Sequence, residues 1–115
     1  NVAKAMNIVG NVEGKIAVIL DDMIDTAGTL VEASQTVLNH GAIKVYACAT
    51  HAVLSGPAID RIKASGLEKV ILTDTIPLSA AASECGKIEI LTVSGILAEA
   101  IRRIHNYESV SSLFV

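Results

Sequence analysis

Three aspartates lie within five residues of one another, directly after an apolar run. Asp21 and Asp22 follow residues 16–20, and Asp25 comes three positions later. An ionised carboxylate only accepts hydrogen bonds, so these groups suit neutral donors such as sugar hydroxyls, or a divalent cation. The acidic pair therefore predicts a hydroxyl-bearing ligand or a metal at this point of the chain.

The residues after the acids suit an anion instead. The four positions that follow Asp25 are Thr26, Ala27, Gly28 and Thr29. Small residues let the backbone approach a ligand closely, and Gly28 is predicted either to take positive φ or to lie against a phosphate. Acids beside a phosphate site predict a sugar phosphate as the ligand. The alternative is that Asp25 or Thr26 caps a helix and the acidic pair is solvated.

A strand and a helix must position these residues. Residues 16–20 are all apolar, which is typical of a parallel strand covered on both faces. Residues 30–38 keep helical spacing, and Gly41 follows as a stop. Because ligands bind at the carboxyl ends of strands in open α/β sheets, this order places the acids at a ligand site.

The strand and helix alternation continues along the chain. Further strands are predicted over residues 43–49, 69–73 and 88–93, and polar residues follow two of them, at Thr50-His51 and Thr73-Asp74-Thr75. Three strand exits are therefore expected to converge on one edge of the sheet. The fold class predicted is α/β, with a parallel sheet flanked by helices in a single domain over residues 1–115.

The connecting segments are predicted in less detail. Ser55 or Gly56 is expected to cap a helix that has Pro57 in its first turn and buries Ile59 and Ile62. One helical turn is expected within residues 79–86, and a last helix carries an apolar face made of Leu97, Ala100, Ile101 and Ile104. Residues 1–6 are predicted to be the end of a preceding element. Residues 7–14 are predicted to form a hairpin or an extended arm, and residues 110–115 an extended segment.

Several polar residues favour structural roles. His51 is interpreted as a hydrogen-bonded structural residue, with a ligand or catalytic role as the alternative. Arg102 and Arg103 are interpreted as the solvated end of the last helix. Cys48 is interpreted as a small core residue, and it and Cys85 are predicted to be reduced thiols, as in a cytoplasmic protein.

Composition excludes several classes of protein. The chain has 115 residues, of which 51% are hydrophobic and 18% charged, so it is not disordered. A net charge of -3 without a basic run argues against nucleic-acid binding. The sequence has neither an apolar segment of membrane-spanning length nor a signal-peptide layout, so no membrane partner is predicted.

Residues 21–29, Asp-Asp-Met-Ile-Asp-Thr-Ala-Gly-Thr, resemble the phosphoribosyl pyrophosphate signature of phosphoribosyltransferases and ribose-phosphate pyrophosphokinases. The flanking sequence resembles the carboxy-terminal half of the pyrophosphokinases, also called phosphoribosyl pyrophosphate synthetases. The segments that carry this resemblance are residues 6–10, 45–51, 55–58, 73–77, 96–105 and 108–114.

The resemblance implies a type I phosphoribosyltransferase-like domain, incomplete here, that forms most of the second domain of a two-domain synthetase. It implies that Asp21 and Asp22 bind the ribose hydroxyls and that Asp25, Thr26, Ala27, Gly28 and Thr29 surround the 5-phosphate. It also implies, more weakly, that the tail residues Ser109, Ser111 and Phe114 belong to a regulatory nucleotide or phosphate site between subunits.

The implied reaction transfers pyrophosphate from ATP to ribose 5-phosphate and gives phosphoribosyl pyrophosphate and AMP. The resemblance places the ATP site, most Mg²⁺ ligands and a basic catalytic loop upstream of Asn1, so no catalytic residue is expected in this chain. It further implies a homo-oligomer, a hexamer in the family. The alternatives are a purine or pyrimidine phosphoribosyltransferase and a non-catalytic synthetase-associated subunit.

Overall fold

A computed structural model describes residues 7–114 and contains one parallel sheet with four strands. The strands are β1 (Ile16–Ile24), β2 (Lys44–Ala52), β3 (Lys69–Thr73) and β4 (Ile88–Leu91), and they lie side by side in chain order. The helices are α1 (Gly28–Asn39), α2 (Ala58–Ala64), α3 (Ala80–Ser83) and α4 (Ser94–His105), followed by a 3-10 helix over Ser111–Phe114. The predicted α/β fold with a parallel sheet is confirmed.

The core lies between this sheet and the helices that connect its strands. Right-handed crossovers between parallel strands in chain order place the connecting helices on one face of the sheet. On that face Val45, Val70 and Leu72 are at most 1% exposed. Ile62 of α2 is completely buried and Ile59 nearly so, as the helical spacing predicts. The core of the described residues therefore lies on the face of the sheet that the connecting helices cover.

The opposite face of the sheet is open in the described part of the chain, so the prediction that β1 is covered on both faces is wrong there. Ile16, Val18 and Leu20 are 58%, 55% and 77% exposed, while Ala17 and Ile19 between them pack against the core. Cys48 also differs from its prediction, because it is only partly buried and lines a cavity beside Leu20. The apolar residues of β1 alternate between a packed and an open face.

Several element boundaries differ from the predicted ones. β1 continues through Asp21 and Asp22 to Ile24, because the backbone of this segment keeps pairing with β2 as far as Ala52. Pro57 is the N-cap of α2 rather than a residue of its first turn. Residues 7–14 contain no strand and so form no hairpin. The predictions for residues 1–6 and for Val115 lie outside the described residues.

The tail is a 3-10 helix and not the extended segment expected for residues 110–115. The Arg103 guanidinium donates to the carbonyl of Ser109 and to the hydroxyl of Ser112, which draws the tail back onto α4. Arg102 and Arg103 also bind Glu99, and this hydrogen bonding, first from Arg102 and then from Arg103, lowers the pKa of Glu99 to about 2. The two arginines are therefore occupied by acidic partners and by the tail.

The apolar face of α4 is exposed within residues 7–114. Leu97, Ile101 and Ile104 share this face and are 55%, 68% and 66% exposed. Among the described residues, no helix has the length and apolar content needed to cross a membrane.

We expect the isolated 115-residue chain to self-associate, because β1 is an edge strand of the described sheet and its open face carries exposed apolar side chains. Light scattering over a range of protein concentrations measures this. Val18→Lys should reduce the association, whereas Ser83→Lys, at an exposed polar position of α3, should leave it unchanged. A chain that stays monomeric at every concentration would contradict the expectation.

Candidate functional site

A cavity of about 190 Å³ lies where β1 passes into α1. We call residues 25–29 the ligand loop and this space the ligand cavity. Its lining consists of Asp21, Met23, Ile24, Asp25, Thr26, Ala27, Gly28, Thr29 and Leu30. The structure therefore brings together all the predicted ligand residues except Asp22, which does not line the cavity. Met23, Ile24 and Leu30 are additional lining residues that were not predicted.

The backbone holds the carboxylates of the acidic pair. An Asp21 carboxylate oxygen accepts the N–H of Asp22 at 2.8 Å, and an Asp22 carboxylate oxygen accepts the N–H of Met23 at 2.7 Å. Both side chains are exposed. Since a carboxylate has about four acceptor positions, each group keeps capacity for hydroxyl donors from a ligand.

The turn between β1 and α1 depends on Ala27. Its φ of 62° and ψ of 8° are left-handed, and it is the N-cap of α1. Of the two possibilities predicted for Gly28, positive φ is not found, because Ala27 takes it instead. A left-handed residue reverses the chain direction sharply at the start of the helix.

The start of α1 has no side-chain cap among the described residues. The alternative in which Asp25 or Thr26 caps this helix is therefore not found. Asp25 instead accepts a hydrogen bond from the Ser55 hydroxyl. Without a side-chain acceptor, the first N–H groups of the helix can bind an anion in the ligand cavity.

The segment between β2 and α2 supports the ligand loop from the side. The N–H groups of Leu54 and Ser55 donate to the carbonyls of Ile24 and Asp25 at 2.9 and 3.0 Å. Further along, Arg61 Nη1 donates to the carbonyl of Thr26 at 3.0 Å. Sequence reasoning missed these contacts, and the only signal for them is that Ser55 lies just after a predicted strand exit.

The exits of β2 and β3 meet, as predicted from their polar residues. The hydroxyls of Thr73 and Thr75 both donate to the Thr50 carbonyl, at 2.6 and 3.3 Å. His51 Nδ1 lies 2.8 Å from the Thr75 hydroxyl, so His51 is hydrogen-bonded as the structural interpretation expects. At the same edge, hydrogen bonds from the Thr92 side chain and the Val93 N–H lower the pKa of Asp74.

The described residues contain no group of side chains that would hold a metal ion without other ligands. Within residues 7–114 no three His, Cys, Asp or Glu side chains are grouped so that they could hold a metal ion. Of the three aspartates near β1, Asp21 and Asp25 line the ligand cavity, and Asp25 also accepts a hydrogen bond from Ser55.

The tail residues lie apart from the ligand cavity. Ser109, Ser111 and Phe114 do not line it. The N–H of Ser111 donates to the Ser109 hydroxyl at 3.2 Å, and Phe114 is 78% exposed. Their regulatory role stays a prediction.

Comparison with known proteins identifies relatives along the whole chain. The sequence profile of the phosphoribosyl synthetase-associated domain matches residues 2–115. A ribose-phosphate pyrophosphokinase of Caldanaerobacter subterraneus subsp. tengcongensis is 56% identical over 114 residues, which are 99% of this chain and 36% of the relative. One of Xylella fastidiosa is 57% identical over 115 residues, which are 100% of this chain and 36% of the relative.

A solved structure of a synthetase is also similar to this chain. The crystal structure of phosphoribosylpyrophosphate synthetase from Mycobacterium smegmatis superposes with a TM-score of 0.82 and is 37% identical. The match covers 86% of this chain and 33% of that chain. This chain thus spans about a third of the length of the proteins it matches.

These matches confirm the resemblance to the synthetases and favour it over both alternatives, the phosphoribosyltransferase and the non-catalytic subunit. The placement in the carboxy-terminal half, the division into two domains and the roles of the site residues stay predictions. Since the profile covers the chain from Val2 to Val115, the chain belongs to the phosphoribosyl synthetase-associated domain family.

Proposed function

We propose that this chain binds the sugar phosphate in a ribose-phosphate pyrophosphokinase, an enzyme that transfers pyrophosphate from ATP to ribose 5-phosphate. The observation that carries the proposal is the ligand cavity, in which the Asp21 carboxylate lies beside an uncapped helix start. The names of the relatives support the same activity. Ribose 5-phosphate and the product, phosphoribosyl pyrophosphate, are the proposed ligands.

The cavity offers two kinds of group to such a ligand. Asp21 accepts hydrogen bonds and suits the ribose hydroxyls, with Asp22 as the second proposed acceptor. The N–H groups at the start of α1 and the hydroxyls of Thr26 and Thr29 donate hydrogen bonds and suit the 5-phosphate. A molecule with hydroxyls at one end and a phosphate at the other matches both groups, whereas inorganic phosphate matches only the second.

Positioning is the chemical contribution proposed for this chain. A sugar held at both ends presents its anomeric hydroxyl in one orientation, and much of phosphoryl-transfer catalysis depends on such alignment with the phosphate donor. ATP and its Mg²⁺ are proposed to bind mostly to residues outside this chain. No step of the transfer is assigned to a metal held by these residues.

The resemblance to the synthetases also supports proposals about the place of this chain in the protein, its assembly and its tail. We propose that the chain lies in the carboxy-terminal half of the synthetase and forms most of its second domain. We also propose that the synthetase is a cytoplasmic homo-oligomer. The tail residues Ser109, Ser111 and Phe114 are proposed to contribute to a regulatory nucleotide or phosphate site. The support for this role is that Arg103 and the tail form one hydrogen-bonded group at the end of α4.

Asp21→Asn tests the two halves of the cavity separately. The substitution should weaken ribose 5-phosphate binding roughly tenfold to a hundredfold, because it removes a charge-assisted hydrogen bond to a hydroxyl. Binding of inorganic phosphate should stay unchanged. Calorimetric titration with both ligands measures the difference.

Asp60→Asn is the matched control, because Asp60 is an exposed acid in the first turn of α2 and does not line the ligand cavity. It should change neither affinity. An equal loss of both ligands in Asp21→Asn would show that the acid and the phosphate site do not act separately.

A further inference from the structure

We infer that Arg61 is a positioning residue that orients the phosphate-binding part of the ligand loop from behind, and that Gly28 lacks a side chain because the Arg61 guanidinium occupies the adjacent space. The inference rests on the proposed function for its ligand, but the contact itself does not depend on that function.

The contact joins two distant parts of the chain. Arg61 lies on α2, and its Nη1 donates to the Thr26 carbonyl at 3.0 Å across 35 positions of sequence. The backbone N–H of Arg61 donates to the Pro57 carbonyl, which anchors the residue in its helix. Arg61 does not line the ligand cavity. It therefore acts on a ligand through the loop and not by touching the ligand.

The orientation of one peptide group follows from this contact. The described chain contains no cis peptide bond. In a trans peptide the C=O and the N–H point in opposite directions, so a Thr26 carbonyl aimed at Arg61 turns the N–H of Ala27 away from Arg61. Ala27 lines the ligand cavity, and its left-handed backbone allows this turn. Arg61 thus holds an N–H donor in position for an anion.

Gly28 provides an independent sign of the same arrangement. A Cβ added to Gly28 would lie 3.2 Å from Arg61 Nη1, with no other side chain as near. Its φ is not positive, so the backbone conformation alone does not require glycine. The close guanidinium favours glycine, because an alanine here would require the end of the Arg61 side chain to shift by a few tenths of an ångström from its place at the Thr26 carbonyl.

The start of the same segment holds the start of the loop. The Ser55 hydroxyl donates to the Asp25 carboxylate, and the Ser55 N–H donates to the Asp25 carbonyl. Ser55 therefore fixes Asp25, while Arg61 fixes the next peptide group. The two contacts leave the loop with a defined shape before a ligand arrives, which lowers the entropic cost of binding.

Arg61→Met tests the inference in the protein at its natural length. The variant keeps an unbranched apolar side chain but loses every donor. We expect the affinities for ribose 5-phosphate and for inorganic phosphate to fall by the same factor, roughly twofold to tenfold, as for loss of one hydrogen bond. Amide hydrogen exchange at residues 27–29 should accelerate in the unliganded protein.

Lys63→Met is the matched control. Lys63 is an exposed cation two positions along α2, and it makes no side-chain hydrogen bond among those found in residues 7–114. This control removes the same charge from the same helix and should change neither the affinities nor the exchange. Equal effects of the two variants would overturn the inference, because they would assign the role to charge alone.

Gly28→Ala provides the decisive comparison, because it displaces the guanidinium while keeping its charge. Alone, it should weaken the binding of both ligands by the same factor, and by no more than Arg61→Met does. Combined with Arg61→Met, it should add almost nothing, since the group that it displaces is already gone. Additive losses in the double variant would overturn the coupling of Gly28 to Arg61.

The proposed function and this inference fail in different ways. A wild-type protein that does not bind ribose 5-phosphate would refute the proposed function, while amide exchange at residues 27–29 would still test Arg61. A wild-type protein that binds, together with unchanged affinity and exchange in Arg61→Met, would refute the inference and leave the proposed function intact.

Discussion

The isolated chain is expected to form no AMP above background when it is mixed with ATP, Mg²⁺ and ribose 5-phosphate. Phosphoryl transfer requires cations aimed at the transferred group, and a single arginine finger contributes about 10³ to 10⁵ in rate in other phosphoryl-transfer enzymes. No lysine or arginine of the described part of the chain lines the ligand cavity. Binding of the sugar without transfer is the expected behaviour.

Several cations that the structure describes are engaged elsewhere. Arg102 binds Glu99 and Glu108, and these acids raise its pKa, Glu99 most strongly. Lys87 donates to the Ser65 carbonyl at 2.6 Å, and Lys69 donates to the Gly86 carbonyl at 2.9 Å. Moving any of these groups to the transferred phosphate would break a contact that the fold uses.

The full-length Caldanaerobacter relative is the positive control for the AMP assay. A chimera in which this chain replaces the matching 114 residues of that protein should form AMP, because the proposal assigns the remaining machinery to the rest of the protein. Asp21→Asn in the chimera should lower turnover at limiting ribose 5-phosphate. AMP formation by the purified chain alone, abolished by Asp21→Asn, would show that the catalytic groups lie within these residues.

The order of elements and the ligand loop could be predicted because both depend on local sequence. The apolar residues 70–72 predict β3, which has the expected boundaries of residues 69–73, and the spacing of Ile59 and Ile62 predicts the buried side of α2. Small residues between an acidic pair and a helical pattern likewise identify the loop without any distant contact. Hydrophobic periodicity predicts a helix or strand correctly when the structure of that element depends on which of its own residues are buried.

The features that could not be predicted depend on contacts between distant residues. The sequence predicts Ser55 or Gly56 as the cap of α2, but Pro57 is the cap and the Ser55 hydroxyl binds Asp25, 30 positions earlier. Ala27 takes positive φ although it lies beside a glycine, because hydrogen bonds from Ser55 and Arg61 fix the loop around it. No pattern within a short window of sequence reports such contacts.

Gly28→Val is expected to abolish measurable binding of inorganic phosphate and of ribose 5-phosphate while the fold survives. A valine Cβ would lie 3.2 Å from Arg61 Nη1, and two further methyl carbons would need space in the same place. We expect residues 26–28 to shift to accommodate the branched side chain, which would turn the N–H donors away from the phosphate. Calorimetric titration measures binding, and thermal unfolding measures stability.

Gly86→Val is the control for introducing valine at a glycine. Gly86 is exposed, its φ is not positive, and a Cβ added there meets no atom within 4 Å. This variant should bind both ligands normally. The melting temperatures of the two variants should be similar, because the core around Val45 and Leu72 touches neither site and surface substitutions change stability little. Normal phosphate binding by Gly28→Val would place the phosphate site away from the ligand loop.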